Sequence, residues 1–121
     1  MALDNYNGPA LYNLGNAYYM KGFLDKSINS YLLALKLNPD SAECHFNLAT
    51  AYNDNADQKQ AQEHFETSLK HNPHNADCLY ELGRLQQRRG AVNIEKAEDY
   101  FKWALKIDPA HKKAIAALKQ I

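Results

Sequence analysis

Long apolar runs are missing from this 121-residue chain, and with them any stretch approaching the roughly 20 residues that a bilayer-spanning helix needs. An excess of either charge is missing too: 14 Lys+Arg stand against 14 Asp+Glu, a formal net charge of +0. Proteins that neutralise many phosphates carry surplus Lys and Arg, so nucleic acid is not an expected partner; the basic cluster to note is Arg84, Arg88 and Arg89. Cysteine is scarce, and Cys44 and Cys78 lack a C-x-x-C partner, which excludes a disulfide framework and gives no zinc or redox signal. With 5 Gly and 4 Pro, the composition is not that of a disordered linker. Met1 to Gly8 includes Asp4 and has neither a basic flank nor an apolar segment, so no targeting signal is expected and the cytoplasm is the default location. A Gly-rich phosphate loop, a nucleophile elbow and a catalytically spaced carboxylate pair are absent as well. Neither enzyme activity, nor a cofactor, nor a metal site is expected of the chain.

What the chain does contain is a period. Cys44 and Cys78 are 34 apart, as are Pro39 and Pro73, Leu14 and Leu48, Gly15 and Ala49, Tyr18 and Tyr52, Tyr31 and Phe65, and Ala34 and Ser68. Leu82, Gly83, Phe101, Ala104, Leu105 and Pro109 continue the series, with Pro109 36 beyond Pro73, so two residues are inserted between Gly90 and Ala97. A fixed period of this size marks stacked structural repeats. The units are 8–41, 42–75 and 76–111, followed by a terminal segment 112–121, with 1–7 as a lead-in or the remnant of a preceding repeat.

Each unit reads as two helices. Leu11, Leu14, Gly15 and Tyr18 stand at i, i+3, i+4 and i+7, one face of an amphipathic helix, and Ser27, Tyr31, Ala34 and Leu35 form a second such face. Gly22 suits a left-handed helix end, with Asp25 as the next N-cap; Gly90 and Asn93 repeat that punctuation, and Asn55, Ala56 and Asp57 do so less well. Each second helix should stop before Pro39, Pro73 or Pro109, because the residue preceding proline is pushed out of the α region. Small residues at Gly15, Ala49 and Gly83 permit close helix approach, with Tyr18, Tyr31, Tyr52, Phe65 and Phe101 filling the space beside them. One such pair cannot bury its apolar face alone, so neighbouring units must stack. The expected fold is all-α, a right-handed α-solenoid of three helix-turn-helix repeats with a terminal capping helix. Trp103 is expected to cover the join to that helix.

The stretch "LYNLGNAYYMKG…SINSYLLALKLNP" resembles the tetratricopeptide repeat, whose pattern is W-x2-L-G-x2-Y, then A-x3-F, then P. The resemblance covers 8–111 in three copies; Leu11, His45 and Leu79 replace the Trp and Gln86 replaces a Tyr. The third unit, with "NIEKAEDYFKWA", is also similar to the longer Sel1-like relatives. The resemblance implies a protein-interaction module or scaffold whose first helices line a concave groove that takes an extended peptide or a helix. The alternatives are the substrate-recognition arm of a larger enzyme, similar to the superhelix of O-linked N-acetylglucosamine transferases, and a fragment that self-associates through its ends.

The slots facing that groove follow from the repeat, and the site residues they give are Tyr12, Asn13, Asn16, Tyr19, Phe46, Asn47, Thr50, Tyr80, Glu81 and Arg84. Tyr12, Phe46 and Tyr80 make an aromatic row at steps of 34, beside an amide row of Asn13 and Asn47 that Glu81 ends. Amides pair with a peptide backbone and aromatic faces give contact area at low entropic cost. The family's best-known ligand is the C-terminal carboxylate of heat-shock chaperones, gripped by Lys, Asn and Arg. This chain keeps Asn16 and Asn47 but has Tyr12, Asp77 and Glu81 in the cationic slots, so that tail is not the expected ligand. Glu43, Asp54, Asp77 and Glu81 outnumber Arg84 and Arg88, which points to a peptide that is neutral to mildly basic. His71 and His74 flank Pro73 in a loop, with His45 and His64 elsewhere, and none has metal-site spacing; Cys44 and Cys78 are expected to be buried free thiols.

Overall fold

The computed structural model describes residues 7–90 and 93–121. Among them are seven α-helices and no strand: α1 (Gly8–Met20), α2 (Leu24–Leu37), α3 (Ala42–Asp54), α4 (Gln58–His71), α5 (Ala76–Arg88), α6 (Ile94–Ile107) and α7 (Lys112–Lys119). The fold is all-α, as the periodicity requires. Of the expected lead-in 1–7, residues 1–6 lie outside the described residues, as do residues 91–92 of the expected insertion.

Local chemistry sets the ends. Asn7, Ser41, Asn75 and His111 each cap a first helix, their side chains accepting from the backbone N–H of Ala10, Cys44, Cys78 and Ala114 and satisfying donors that a helix start leaves open. The second helices α2, α4 and α6 end at Leu37, His71 and Ile107, each two residues ahead of a proline. In the turns, Gly22 and Gly90 take positive φ values of 81° and 100°. Ala56 does the same at 63°. The N-cap of α2 is Phe23 and not Asp25, which instead sits in the first turn, where a carboxylate favours the positive end of the helix dipole. Asp57 does act as a cap, accepting from the Gln60 amide at 3.2 Å.

The chain divides after His71 into two compact units. In the first, α1 packs on α2, α2 on α3 and α3 on α4; in the second, α5 packs on α6 and α6 on α7. The core of the first is built by Leu11, Ile28, Tyr31, Ala34, Leu35, Cys44, Leu48 and Ala51, continued by buried Ala61 and Phe65. That of the second is Leu79, Leu82, Leu85, Ala97, Phe101 and Ala104. A Cβ at Gly15 would stand 2.6 Å from the Tyr31 ring, and one at Gly83 2.5 Å from the Phe101 ring. Glycine at these two places is what lets the aromatic ring of the second helix lie flat on the backbone of the first. Buried serines also tie helix pairs together: Ser27 of α2 donates to the Gly15 carbonyl of α1, and Ser68 of α4 to the Ala42 carbonyl of α3, both at 2.8 Å. Trp103 remains 43% exposed, so it does not close over a join in the way the sequence suggests. No helix among the described residues is long and apolar enough to cross a membrane.

Candidate functional site

Within the first unit, α1 and α3 bring Tyr12, Asn16 and Asn47 into one hydrogen-bond network. Tyr12 and Asn16 lie one turn apart on α1, so both reach the same point on α3. The Asn47 amide nitrogen donates to the Tyr12 hydroxyl at 2.8 Å and to Asn16 Oδ1 at 3.1 Å. The Tyr31 hydroxyl, reaching across from α2, donates to the same Oδ1. Burial pushes the Tyr31 hydroxyl up to about 12, so it stays protonated and keeps its donor role. Both hydrogens of Asn47 Nδ2 and the carbonyl of Asn16 are thereby committed. Asn16 Nδ2 and Asn47 Oδ1 take no part in these bonds, and together they form a donor and an acceptor fixed in orientation.

A cavity of about 310 Å³ opens beside this pair, lined by Asn16, Tyr19, Met20, Tyr31, Asn47 and Thr50. Tyr19 donates its hydroxyl to Asp54, and Thr50 turns its own back to the Phe46 carbonyl at 3.0 Å. On the other side of Tyr12 a second cavity of about 240 Å³ is lined by Pro9, Tyr12, Asn38, Ser41 and Glu43 among others. Asn13 is exposed and stands outside the network.

In the second unit the other three candidates cluster around one ring. Tyr80 is only 8% exposed, with its ring centroid 5.8 Å from Phe101 and 5.5 Å from His111. Arg84 donates to the Tyr80 hydroxyl at 2.8 Å. Glu81 is half-buried, and burial raises its carboxyl above the ordinary value although Lys113, Arg84 and Arg88 pull it down. A cavity of about 320 Å³ is lined by Tyr80, Arg84, Gln87, Lys113, Ala116, Ala117 and Gln120. Asp77 is paired with His111, whose Nε2 lies 2.7 Å from Oδ1. Because His111 Nδ1 accepts from the Ala114 amide, the proton in that pair belongs on Nε2.

Each member of the aromatic row packs against the second-helix aromatic of its own repeat: Tyr12 on Tyr31 at 6.0 Å, Phe46 on Phe65 at 5.5 Å and Tyr80 on Phe101 at 5.8 Å. These rings are therefore partly core. Three residues that the repeat pattern does not place in the groove join these clusters: Tyr31, His111 and Lys113. Lys113 was open to detection, since it follows Asp77 by the same 36-residue step that separates Pro109 from Pro73. The histidines also differ from a solvated loop. His45 Nδ1 faces His64 Nδ1 at 3.1 Å, and the His45 ring stacks on those of His64 and His71 at 5.3 and 6.0 Å. Cys44 is a buried free thiol that burial pushes up to about 12, and Cys78 is likewise buried and free.

By sequence, the chain matches the family described as TPR repeat over residues 15–55. It also matches the one described as YpiA-like, C-terminal tetratricopeptide repeats over residues 43–111. No curated protein matches it in sequence. Among solved structures it is similar to the TPR domain of Arabidopsis OM64, with a TM-score of 0.87 and 26% identity over 93% of this chain and 92% of that one. The first TPR of Spaghetti (RPAP3), solved with the HSP90 peptide SRMEEVD, gives a TM-score of 0.88 at 19% identity over 94% and 89% of the two chains. YrrB, described as a TPR protein with an unusual peptide-binding site, gives 0.85 at 24% identity over 94% of this chain but 58% of its own. These likenesses carry the solenoid fold expected from the repeat.

Proposed function

The chain belongs to the tetratricopeptide repeat family, and from that premise we propose that it is a non-catalytic protein-interaction module holding an extended segment of a partner protein on the groove that α1 and α3 share. The observation that carries this reading is the oriented pair of Asn16 Nδ2 and Asn47 Oδ1 beside a cavity of about 310 Å³. A peptide unit offers one donor and one acceptor, so the pair matches a single backbone amide, and Tyr19, Met20 and Thr50 line the space where the adjoining side chain would sit. Pre-orientation by Tyr12 and Tyr31 lowers the ordering cost of binding.

The peptide bound in the RPAP3 structure and the peptide-binding site described for YrrB support the class of partner. The carboxylate clamp of chaperone-tail binders is not the mode we assign. Its cationic slots hold Tyr12, Asp77 and Glu81 here, and all three have internal roles: Tyr12 accepts from Asn47, Asp77 pairs with His111, and Glu81 is half-buried. Of the residues lining the two cavities described above, Glu43 is the charged one, and Asp54 adjoins the first of them through Tyr19, which favours a neutral to mildly basic segment on that surface.

The test is a peptide-array screen with the full chain, repeated with Asn16→Ala and Asn47→Ala variants whose helicity is verified by circular dichroism. Peptides that bind the parent are expected to lose about tenfold or more in affinity, the loss associated with leaving buried hydrogen-bonding groups without partners. Unchanged binding by both folded variants would rule out the α1–α3 groove.

A further inference from the structure

We infer that the second unit carries a separate pocket for an acidic side chain of a partner polypeptide, formed by Arg84 of α5 and Lys113 of α7 over the ring of Tyr80. The Arg84 guanidinium carbon and the Lys113 ammonium each lie 5.9 Å from the centre of the Tyr80 ring. Both cations line the same cavity of about 320 Å³, with the amide side chains of Gln87 and Gln120. Among the described residues neither cation has a carboxylate within 4.0 Å. Arg84 is instead held by its bond to the Tyr80 hydroxyl, which leaves its remaining donors without a carboxylate at ion-pair distance. A carboxylate entering between them gains charge-assisted hydrogen bonds from both sides. Ala116, Ala117 and the Tyr80 ring supply apolar wall for the methylene stem of an aspartate or glutamate.

The charges around the pocket decide its selectivity. Burial raises the Glu81 carboxyl, Lys113, Arg84 and Arg88 pull it down and Asp77 pushes it up, while Asp77 is engaged by His111. Glu81 is the group that opposes an incoming anion. Burial already disfavours its charged form, so bound carboxylate and protonated Glu81 favour each other. These residues differ from the clamp slots of the family, which in this chain are Tyr12, Asn16, Asn47, Asp77 and Glu81.

The inference extends the peptide reading to a differently charged surface and is tested apart from it. Isotope-labelled full chain is titrated with three N-acetylated probes and followed by amide chemical shifts: N-acetyl-triglutamate amide, its triglutamine counterpart, and N-acetyl-triglycine with a free C-terminus. Triglutamate is expected to shift α5 and α7 amides and to bind at least tenfold more tightly than triglutamine. Lys113→Gln and Arg84→Gln should each weaken it about tenfold, Lys102→Gln should not, and Glu81→Gln should tighten it. Equal binding of triglutamine, preference for triglycine, or indifference to both Lys113→Gln and Arg84→Gln would overturn the proposal. Asn47→Ala, which disables the α1–α3 groove, is expected to leave triglutamate binding intact, so failure of one surface is distinguishable from failure of the other.

Discussion

At the residue scale, the two close-approach glycines and one histidine carry the sharpest consequences. Gly15→Ala would drive a methyl group into the Tyr31 ring at 2.6 Å, and Gly83→Ala into the Phe101 ring at 2.5 Å. Neither ring has room to retreat, since Tyr31 is 1% and Phe101 0% exposed. Overpacking of this kind costs about 1–3 kcal/mol, and each variant is expected to show a urea midpoint lowered by that loss divided by the denaturant slope. Gly15→Ala should also disturb the Tyr31 bond to Asn16 and so weaken ligand binding on the first unit. His64 sets a pH dependence. Burial first, then the neighbouring His45, lowers its value in the folded chain, with Glu63 acting in the opposite direction. Unfolded, it returns to about 6.5. Above that pH the folded and unfolded chains both hold a neutral ring and the contribution to stability is complete. As pH falls through 6.5 the unfolded chain takes up a proton that the folded chain resists, so stability is lost. Melting temperatures at pH 7.5, 6.5 and 5.5 are expected to fall more steeply for the parent than for His64→Gln; parallel curves would show that the buried ring plays no part.

At the scale of the element, the repeat is held by punctuation as much as by its apolar faces. Three turns between paired helices need a left-handed residue, and two use Gly22 and Gly90 while the third uses Ala56 at φ 63°. An L-residue there costs roughly 1–2 kcal/mol, offset in part because glycine loses more freedom on folding. Ala56→Gly is therefore expected to stabilise the α3–α4 pair by about 0.5–1 kcal/mol, read as a higher denaturant midpoint with the slope unchanged. Most of this level was legible in the sequence, because capping and turn preferences act over four or five residues. The three prolines and the positive-φ turn positions all stand where the pattern puts them. Asp25 shows where local reading stops: it has the chemistry of a cap, but the chain enters α2 one turn geometry earlier, at Phe23.

For the molecule as a whole, the terminal helix is more than a lid. α7 buries Ala114 and Ala117, caps itself through His111, and brings His111 and Lys113 to Tyr80. Truncation after Ala110 is expected to uncover the face of the second unit that α7 shields and to lower amide hydrogen-exchange protection most in α5 and α6, in keeping with the nearest-neighbour energetics of repeat proteins. Uniform loss across all helices, or none, would contradict that picture. Sequence by itself determined the number of repeats, their helix pairs, the small residues at the close helix approaches, and the family. All of these follow from periodicity and local preference, which one chain displays openly. Tertiary structure alone decided that Tyr12, Asn16, Tyr31 and Asn47 share one network, that the Tyr80 ring is enclosed, and that Lys113 stands with Arg84. Those partners come from different helices, and Asn47 lies 35 and 31 positions from Tyr12 and Asn16. Their meeting depends on how packed helices aim their side chains, a relation that spacing along the chain brackets but does not fix.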